Sequence, residues 1–336
     1  MVSFKSLAWA LVTPLALTVA AEATDKRVVV YYQSKLASGD DHVSLLPLIQ
    51  QDTIDVTHVL IAAVHIQDPI HINDLPPTDS TFDEMWTEVG QLQAAGVVVG
   101  CMVGGAAAGS WPALEQGDNF EANYKLLHDL IGNYNLQVVD LDVEQSFSLD
   151  GAVALINRLK TDFPDLEITL APVASALSGG GNLSGFDYKE LEAQAGGNIA
   201  FYNAQFYSGF ADASTTGDYE SILDDGWPAN KVVMGLLSNS ANGNGFVDLD
   251  TSSQVIEELT TENGAFGGVA DWEYFNSLPD PANPWMWPQW AAQSMASAAA
   301  KARREVPATE AAWRSVKKMG RRTRAVAKKF YRNVIA

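Results

Sequence analysis

The segment Val138-Val139-Asp140-Leu141-Asp142-Val143-Glu144-Gln145 places an acidic side chain at every second position of an otherwise apolar run. Side chains of a β-strand alternate between two faces, so residues i and i+2 share a face about 6.7 Å apart. Asp140, Asp142 and Glu144 therefore lie on one face, and the valines and leucine between them lie on the other. Three acids on a buried strand are costly as purely structural groups. The segment thus predicts a buried strand that carries chemistry.

Seven further apolar runs, rich in β-branched residues, flank this segment along the chain. The eight predicted strands are Val28–Gln33, Val56–Ile66, Val97–Val103, Gln137–Val143, Glu167–Ala171, Ile199–Tyr207, Lys231–Leu236 and Gly267–Trp272. Amphipathic segments between them predict helices at Phe120–Tyr134, at Gly151–Phe163 after a cap at Asp150, and at Ser252–Asn263. Apolar strands that alternate with helices indicate a parallel sheet covered on both faces.

Eight strand–helix units of this length predict a single-domain α/β protein with a (βα)8 TIM barrel, a fold of about 250 residues. An open doubly wound sheet is the alternative fold, and we disfavour it because no strand is followed by a glycine-rich phosphate loop. In a barrel the C-terminal strand ends form the mouth of the active site. Glu144 would then lie outermost and Asp140 deepest. The carboxylates would serve acid–base catalysis, or else bind a hard metal ion.

The two ends of the chain differ from its centre in composition and in predicted role. A signal peptide is predicted over residues 1–21, where a basic residue is followed by an apolar run and then by the small residues Ala20 and Ala21. We therefore expect a secreted, extracellular protein. Residues 22–27 form a candidate propeptide that ends in the dibasic pair Lys26-Arg27. The barrel is assigned to residues 28–300, and residues 301–336 form a strongly basic tail. The formal net charge of −20 argues against nucleic acid as a partner. We expect no membrane span and a monomer.

The acidic strand resembles the Asp-x-Asp-x-Glu signature of glycoside hydrolase family 18, the family of chitinases and endo-β-N-acetylglucosaminidases. Val97–Gly105, Tyr202–Tyr207 and Gly267–Trp272 resemble the family's third-strand, sixth-strand and eighth-strand motifs, in the same order. Together the four motifs cover about residues 28–290. Two departures are Gln137-Val138, where the family commonly has Asp-Gly, and Val143, where it commonly has an aromatic residue.

Three other segments narrow the resemblance to a fungal branch of the family. They are Leu170–Leu177, Asn203–Phe210 and Trp272–Pro279. The branch contains secreted endo-β-N-acetylglucosaminidases that act on N-glycans, beside proteins labelled chitinases. The resemblance therefore implies hydrolysis of GlcNAc-β-1,4-GlcNAc linkages in the chitobiose core of N-glycans. An endochitinase that cleaves chitin oligomers is the alternative substrate assignment.

The family mechanism assigns a role to each matching residue. Family 18 enzymes retain the anomeric configuration through an oxazolinium intermediate that the substrate's own acetamido group forms. The resemblance implies that Glu144 is the general acid and base, that Asp142 orients the acetamido group, and that Asp140 tunes Asp142. The remaining residues would bind the sugar: Tyr207, Gln205, Trp272, Gly104 and Gly105. No cofactor and no metal is implied.

Two other functions are compatible with the same sequence features. A catalytically inactive, lectin-like relative would bind the same oligosaccharides, although Glu144 is retained. A metal-dependent barrel enzyme is a further alternative. Asn182-Leu183-Ser184 is an N-glycosylation sequon, which makes Asn182 a glycosylation site if the protein is secreted. We expect Trp111 and Trp227 to be packing residues.

Overall fold

The computed structural model describes residues 26–33 and 42–305, with side chains as far as residue 298. The predicted signal peptide, most of the predicted propeptide and the basic tail beyond residue 305 lie outside the described residues.

Eight parallel strands form a closed barrel, because the first strand pairs with both the second and the last. A two-residue strand, β3, adds to β2 in the antiparallel direction. The strands are β1 Arg27–Tyr32, β2 His58–His65, β3 His71–Ile72, β4 Val98–Gly104, β5 Val138–Asp142, β6 Glu167–Leu170, β7 Phe201–Gln205, β8 Val232–Leu237 and β9 Gly268–Trp272. All eight predicted strands are present, and the (βα)8 barrel is confirmed.

Helices surround the barrel and connect its strands. They are α1 Pro47–Gln50, α2 Asp83–Ala94, α3 Ser110–Leu114, α4 Phe120–Tyr134, α5 Leu149–Asp162, α6 Tyr188–Ala195, α7 Gly217–Asp224, α8 Leu249–Glu262 and α9 Met286–Glu305. Short 3-10 turns lie at Ser80–Phe82, Ala174–Ser178, Gly196–Asn198, Ala229–Lys231, Ser240–Asn242 and Tyr274–Asn276. None of the helices in the described part of the chain has the length and apolar character needed to cross a bilayer.

Helix α4 has the predicted bounds, whereas two other helices begin earlier than predicted. The prediction that Asp150 caps α5 is wrong: Ser148 is the N-cap, and its hydroxyl accepts the backbone N–H of Gly151 at 2.9 Å. Asp150 lies in the first turn, where its charge interacts favourably with the helix dipole. Helix α9 continues to Glu305, five residues beyond the predicted end of the barrel domain at residue 300.

The core has two layers. Val139, Leu141 and Val143 belong to the outer layer, where the strands pack against the helices. A smaller inner layer fills the barrel and includes Leu60, Met102 and Phe201. This division follows the strand alternation, so it directs the acidic side chains of β5 into the barrel, toward its C-terminal mouth.

Candidate active site

Asp140 lies deepest in the barrel and is fully buried. Its Oδ2 accepts the hydroxyl of Tyr31 at 2.7 Å. Its Oδ1 accepts the hydroxyl of Thr169 at 2.5 Å and the amide of Asn203 at 3.1 Å. Burial raises the pKa of Asp140, and these three donors oppose that rise because they stabilise the carboxylate. The arrangement holds the Asp140 side chain in one orientation beneath Asp142.

Asp142 ends β5 and is almost as buried, with 5% of its surface exposed. Burial raises its pKa well above the usual range, and the nearby carboxyls of Glu144 and Asp140 raise it further. The side-chain interaction with Glu144 adds to this rise. Three acids in one column cannot all be ionised at low cost, so burial and the neighbouring carboxyls favour the protonated form of Asp142.

Glu144 follows the end of β5 by two residues and is half-buried at the mouth. Gln205, the last residue of β7, lies across from it. The Gln205 amide nitrogen is 3.3 Å from Oε1 of Glu144, 3.2 Å from Oδ1 of Asp142 and 3.0 Å from the carbonyl oxygen of Ala171. Its two N–H groups therefore serve three acceptors, and one side chain bridges both carboxyls.

Tyr207 follows the end of β7 by two residues, Trp272 is the last residue of β9, and both lie beside the carboxyls. They line a small cavity at the mouth of the barrel. Burial raises the pKa of Tyr207, and the three acids raise it further, so its hydroxyl keeps its proton and can donate. The Trp272 ring meets the edge of Tyr31 at 5.7 Å between ring centroids. The cavity is lined by Tyr31, Asp142, Ala171, Asn203, Gln205, Tyr207, Gly235, Ala270, Asp271 and Trp272.

Gly104 and Gly105 bring the backbone of β4 close to Asp142. Both have positive φ, +99° and +84°, which side chains rarely adopt. A Cβ atom on Gly104 would lie 2.4 Å from the carbonyl oxygen of Asp142, and one on Gly105 would lie 3.7 Å from its Oδ2. Gly104 therefore requires glycine because the backbone of Asp142 leaves no room for a Cβ atom, whereas at Gly105 the positive φ is what favours glycine.

The structure thus brings together every residue predicted to be catalytic or substrate-binding. Asn182 does not belong to this group: it is exposed in the connection between β6 and α6, where its Oδ1 accepts the backbone N–H of Ser184 at 2.8 Å. A group with metal-binding geometry in the described part of the chain consists of His42, Glu84 and Glu88, and contains none of the three β5 acids.

Sequence reasoning missed Tyr31, Thr169 and Asn203, the three donors to Asp140. A signal for them existed, because each has the inward parity of its strand, and Thr169 pairs directly with Asp140 across the β5–β6 register. The sequence alone does not give that register, so these residues were indistinguishable from other inward-facing polar side chains.

The sequence matches no protein-family model and no curated protein. Solved structures do match it. It is 44% identical to a fungal endo-β-N-acetylglucosaminidase from glycosyl hydrolase family 18, with a TM-score of 0.77, over 80% of this chain and 97% of that one. It is also 44% identical to the chitinase ChiC from Aspergillus fumigatus, with a TM-score of 0.74, over 80% and 99% of the two chains. A family 18 chitinase from Pseudoalteromonas aurantia shares the fold at 20% identity and a TM-score of 0.63, over 80% of this chain and 100% of that one.

The first two similarities span nearly the whole length of proteins of one enzyme family, and the barrel and the acidic column agree with them. The chain is a glycosidase and belongs to glycoside hydrolase family 18.

Proposed function

We propose that the protein cleaves GlcNAc-β-1,4-GlcNAc linkages with retention of configuration, using the substrate's acetamido group as nucleophile and Glu144 as general acid and base. One observation carries the proposal. Asp142 and Glu144 lie side by side at the barrel mouth, where the amide nitrogen of Gln205 contacts both carboxyls at 3.2 Å and 3.3 Å, and the pKa of Asp142 is raised well above its usual range.

In the first step, Glu144 donates its proton to the leaving glycosidic oxygen while the acetamido carbonyl oxygen attacks the anomeric carbon. The glycosidic C–O bond breaks, and an oxazolinium ion forms. Asp142 turns from Glu144 to accept the acetamido N–H and balances its developing positive charge. Asp140, held by three donors, keeps negative potential beneath the pair.

In the second step, the Glu144 carboxylate removes a proton from water, and that water attacks the anomeric carbon. The bond to the acetamido oxygen breaks, and the sugar leaves with its original configuration. Tyr207 would donate to the acetamido carbonyl oxygen, since its hydroxyl stays protonated. Trp272 would support the apolar face of the ring. The positive φ of Gly104 and Gly105 lets the β4 backbone lie close beside Asp142.

For the substrate, we propose the chitobiose core of N-glycans. Cleavage there leaves one GlcNAc on the substrate glycoprotein. The 44% identity to a fungal endo-β-N-acetylglucosaminidase supports this choice. An endochitinase is the second candidate, because the identity to the chitinase ChiC is equally high. A catalytically inactive lectin has less support, since the acid and its partners are all present in contact with one another.

Mass spectrometry of the products separates the two substrates. The protein is incubated with a denatured high-mannose glycoprotein and, in parallel, with chitin oligomers; the Glu144→Gln variant is the control. We expect the glycoprotein to lose the mass of its glycan less one GlcNAc. Cleavage of chitin oligomers without any shift of the glycoprotein would assign an endochitinase instead.

We also propose that the protein is secreted as a monomer, that a signal peptide is removed near Ala21, and that Asn182 carries a glycan. Asn182 is exposed, and its amide nitrogen donates one hydrogen bond to the carbonyl oxygen of Phe186, which leaves its second N–H for a sugar. Expression in a eukaryotic secretory host, followed by N-terminal sequencing and peptide mapping, tests these points. An intact N-terminus or an unmodified Asn182 would contradict them, and size-exclusion chromatography tests the monomer.

A further inference from the structure

Trp111 does more than fill space, contrary to the expectation from sequence. It lies in the short helix α3, after the glycine pair Gly104-Gly105 at the end of β4, and its side chain is fully buried. The indole N–H donates to the backbone carbonyl oxygen of Asp142 at 3.0 Å. The backbone N–H of Gly105 donates to the same oxygen, also at 3.0 Å. One carbonyl therefore accepts two hydrogen bonds from the neighbouring β4 connection.

That carbonyl belongs to the peptide group between Asp142 and Val143, where β5 ends. The orientation of this peptide plane sets the directions in which the chain places Asp142 and, two residues later, Glu144. A parallel strand neighbour would supply one hydrogen bond in this position, as Gly105 does. The second donor restrains the tilt of the peptide plane, so the separation of the two carboxyls is restrained as well.

The surroundings of Trp111 are built around this contact. A Cβ atom on Gly104 would lie 2.6 Å from the indole nitrogen, so only glycine there lets the indole reach the carbonyl. On its other side the indole ring contacts Phe147, with 5.4 Å between ring centroids. Phe147 is buried and follows Glu144 by three residues. Trp111 thus contacts the backbone before Glu144 and a side chain after it.

We propose that Trp111 is a positioning residue for the reaction, whose indole N–H fixes the Asp142–Glu144 pair in the geometry that transfers the proton. The inference rests on the proposed role of Glu144 as the general acid. Trp111 is buried behind the strand end, so it acts through the Asp142 peptide group and makes no contact with the substrate.

Three variants separate the hydrogen bond from packing. Trp111→Phe removes the N–H and part of the ring. Replacing Trp111 by 3-benzothienylalanine exchanges only the N–H for sulfur and keeps the shape of the side chain. This second variant therefore tests the hydrogen bond even where Trp111→Phe fails to fold. Trp227→Phe is the matched control, because Trp227 is also buried and its indole donates to a backbone carbonyl, that of Leu177, away from the carboxyls.

We expect the benzothienyl variant and Trp111→Phe to lower kcat about fivefold to tenfold, with KM within twofold, because one hydrogen bond is lost. All three variants should lower Tm by about 2–4 °C, but Trp227→Phe should leave kcat unchanged. The alkaline limb of the kcat–pH profile should move to lower pH only in the position-111 variants. If the two carboxyls lie farther apart, Glu144 raises the pKa of Asp142 less, so Asp142 loses its proton at lower pH.

Two measurements separate a failure of the Trp111 inference from a failure of the Glu144 assignment. A benzothienyl variant with the kcat and pH profile of the unaltered protein would show that Trp111 only packs, and would overturn the inference. Glu144→Gln, measured in parallel, tests the proposed function separately: an active Glu144→Gln variant would overturn the assignment of the acid, whatever the position-111 variants do.

Discussion

Replacing Gln205 by methionine removes the group that bridges the two reacting carboxyls and keeps a side chain of similar length. The amide nitrogen of Gln205 contacts Asp142 at 3.2 Å and Glu144 at 3.3 Å. Both distances exceed the usual value of about 2.9 Å, so these bonds belong to the weaker part of their class. We expect the variant to fold and to turn over substrate more slowly.

The magnitude follows from those contacts. A hydrogen bond to a charged group is worth about 1.5–3 kcal/mol, and the long distances favour the lower end, about 1.5–2 kcal/mol. Since about 1.4 kcal/mol corresponds to a factor of ten in rate, kcat should fall about 10-fold to 30-fold. The lost donor also favoured the ionised form of Asp142, so the pKa of Asp142 should rise further and the alkaline limb of the pH profile should move to higher pH. Losing the bond to the Ala171 carbonyl should cost about 1 kcal/mol of stability.

The assay is the pH dependence of kcat and KM on a fluorogenic chitobioside, with urea unfolding in parallel. Gln93→Met is the matched control, because the Gln93 amide donates to the backbone carbonyls of Tyr134 and Asn135, which lie outside the acidic column. The control should lose stability without a change in the pH profile. Unchanged kcat and an unchanged profile in Gln205→Met would refute the bridging role of Gln205.

Three further predictions follow from other parts of the structure. Tyr207→Phe should lower kcat about 10²-fold, as expected for removal of one donor to developing charge, and a normal rate on the same chitobioside would contradict its role. Ser148→Ala should lower the free energy of unfolding in urea by about 1 kcal/mol, whereas Asp150→Asn should lower it much less; equal effects would contradict the Ser148 cap. Truncation after Glu305 should leave kcat within twofold, and an inactive product would show that residues beyond α9 belong to the folded core.

The barrel and its acidic strand could be predicted because both follow from local patterns. Strand alternation alone assigned Asp140 and Asp142 to the inside and Val139 and Leu141 to the outside, and the structure agrees. The helix Phe120–Tyr134 was equally clear, since its apolar stripe is regular along its whole length. The predicted cap of α5 was wrong because two cap-forming residues, Ser148 and Asp150, precede the apolar stripe. Only the local backbone geometry decides between them.

The contacts that tune the site could not be predicted, because they join residues far apart in sequence. Tyr31 and Asp140 are 109 residues apart, and Asn203 and Asp140 are 63 apart. Pairing them requires the register of several strands, which hydrophobic periodicity does not supply. Trp111 shows the same limit: its burial was predicted, but the carbonyl that its N–H would meet was not. The resemblance to family 18 identified the reacting residues, and the structure added the residues that hold them.

The central claim is that Glu144 supplies and removes the proton in a substrate-assisted reaction. Glu144→Gln keeps the shape and the hydrogen-bonding capacity of the side chain and removes its ability to donate and accept that proton. The direct measurement is kcat of this variant beside its affinity for a chitin oligosaccharide by isothermal titration calorimetry. We predict a loss of kcat of about 10²-fold to 10⁴-fold or more, with affinity retained. A near-normal kcat would contradict the claim.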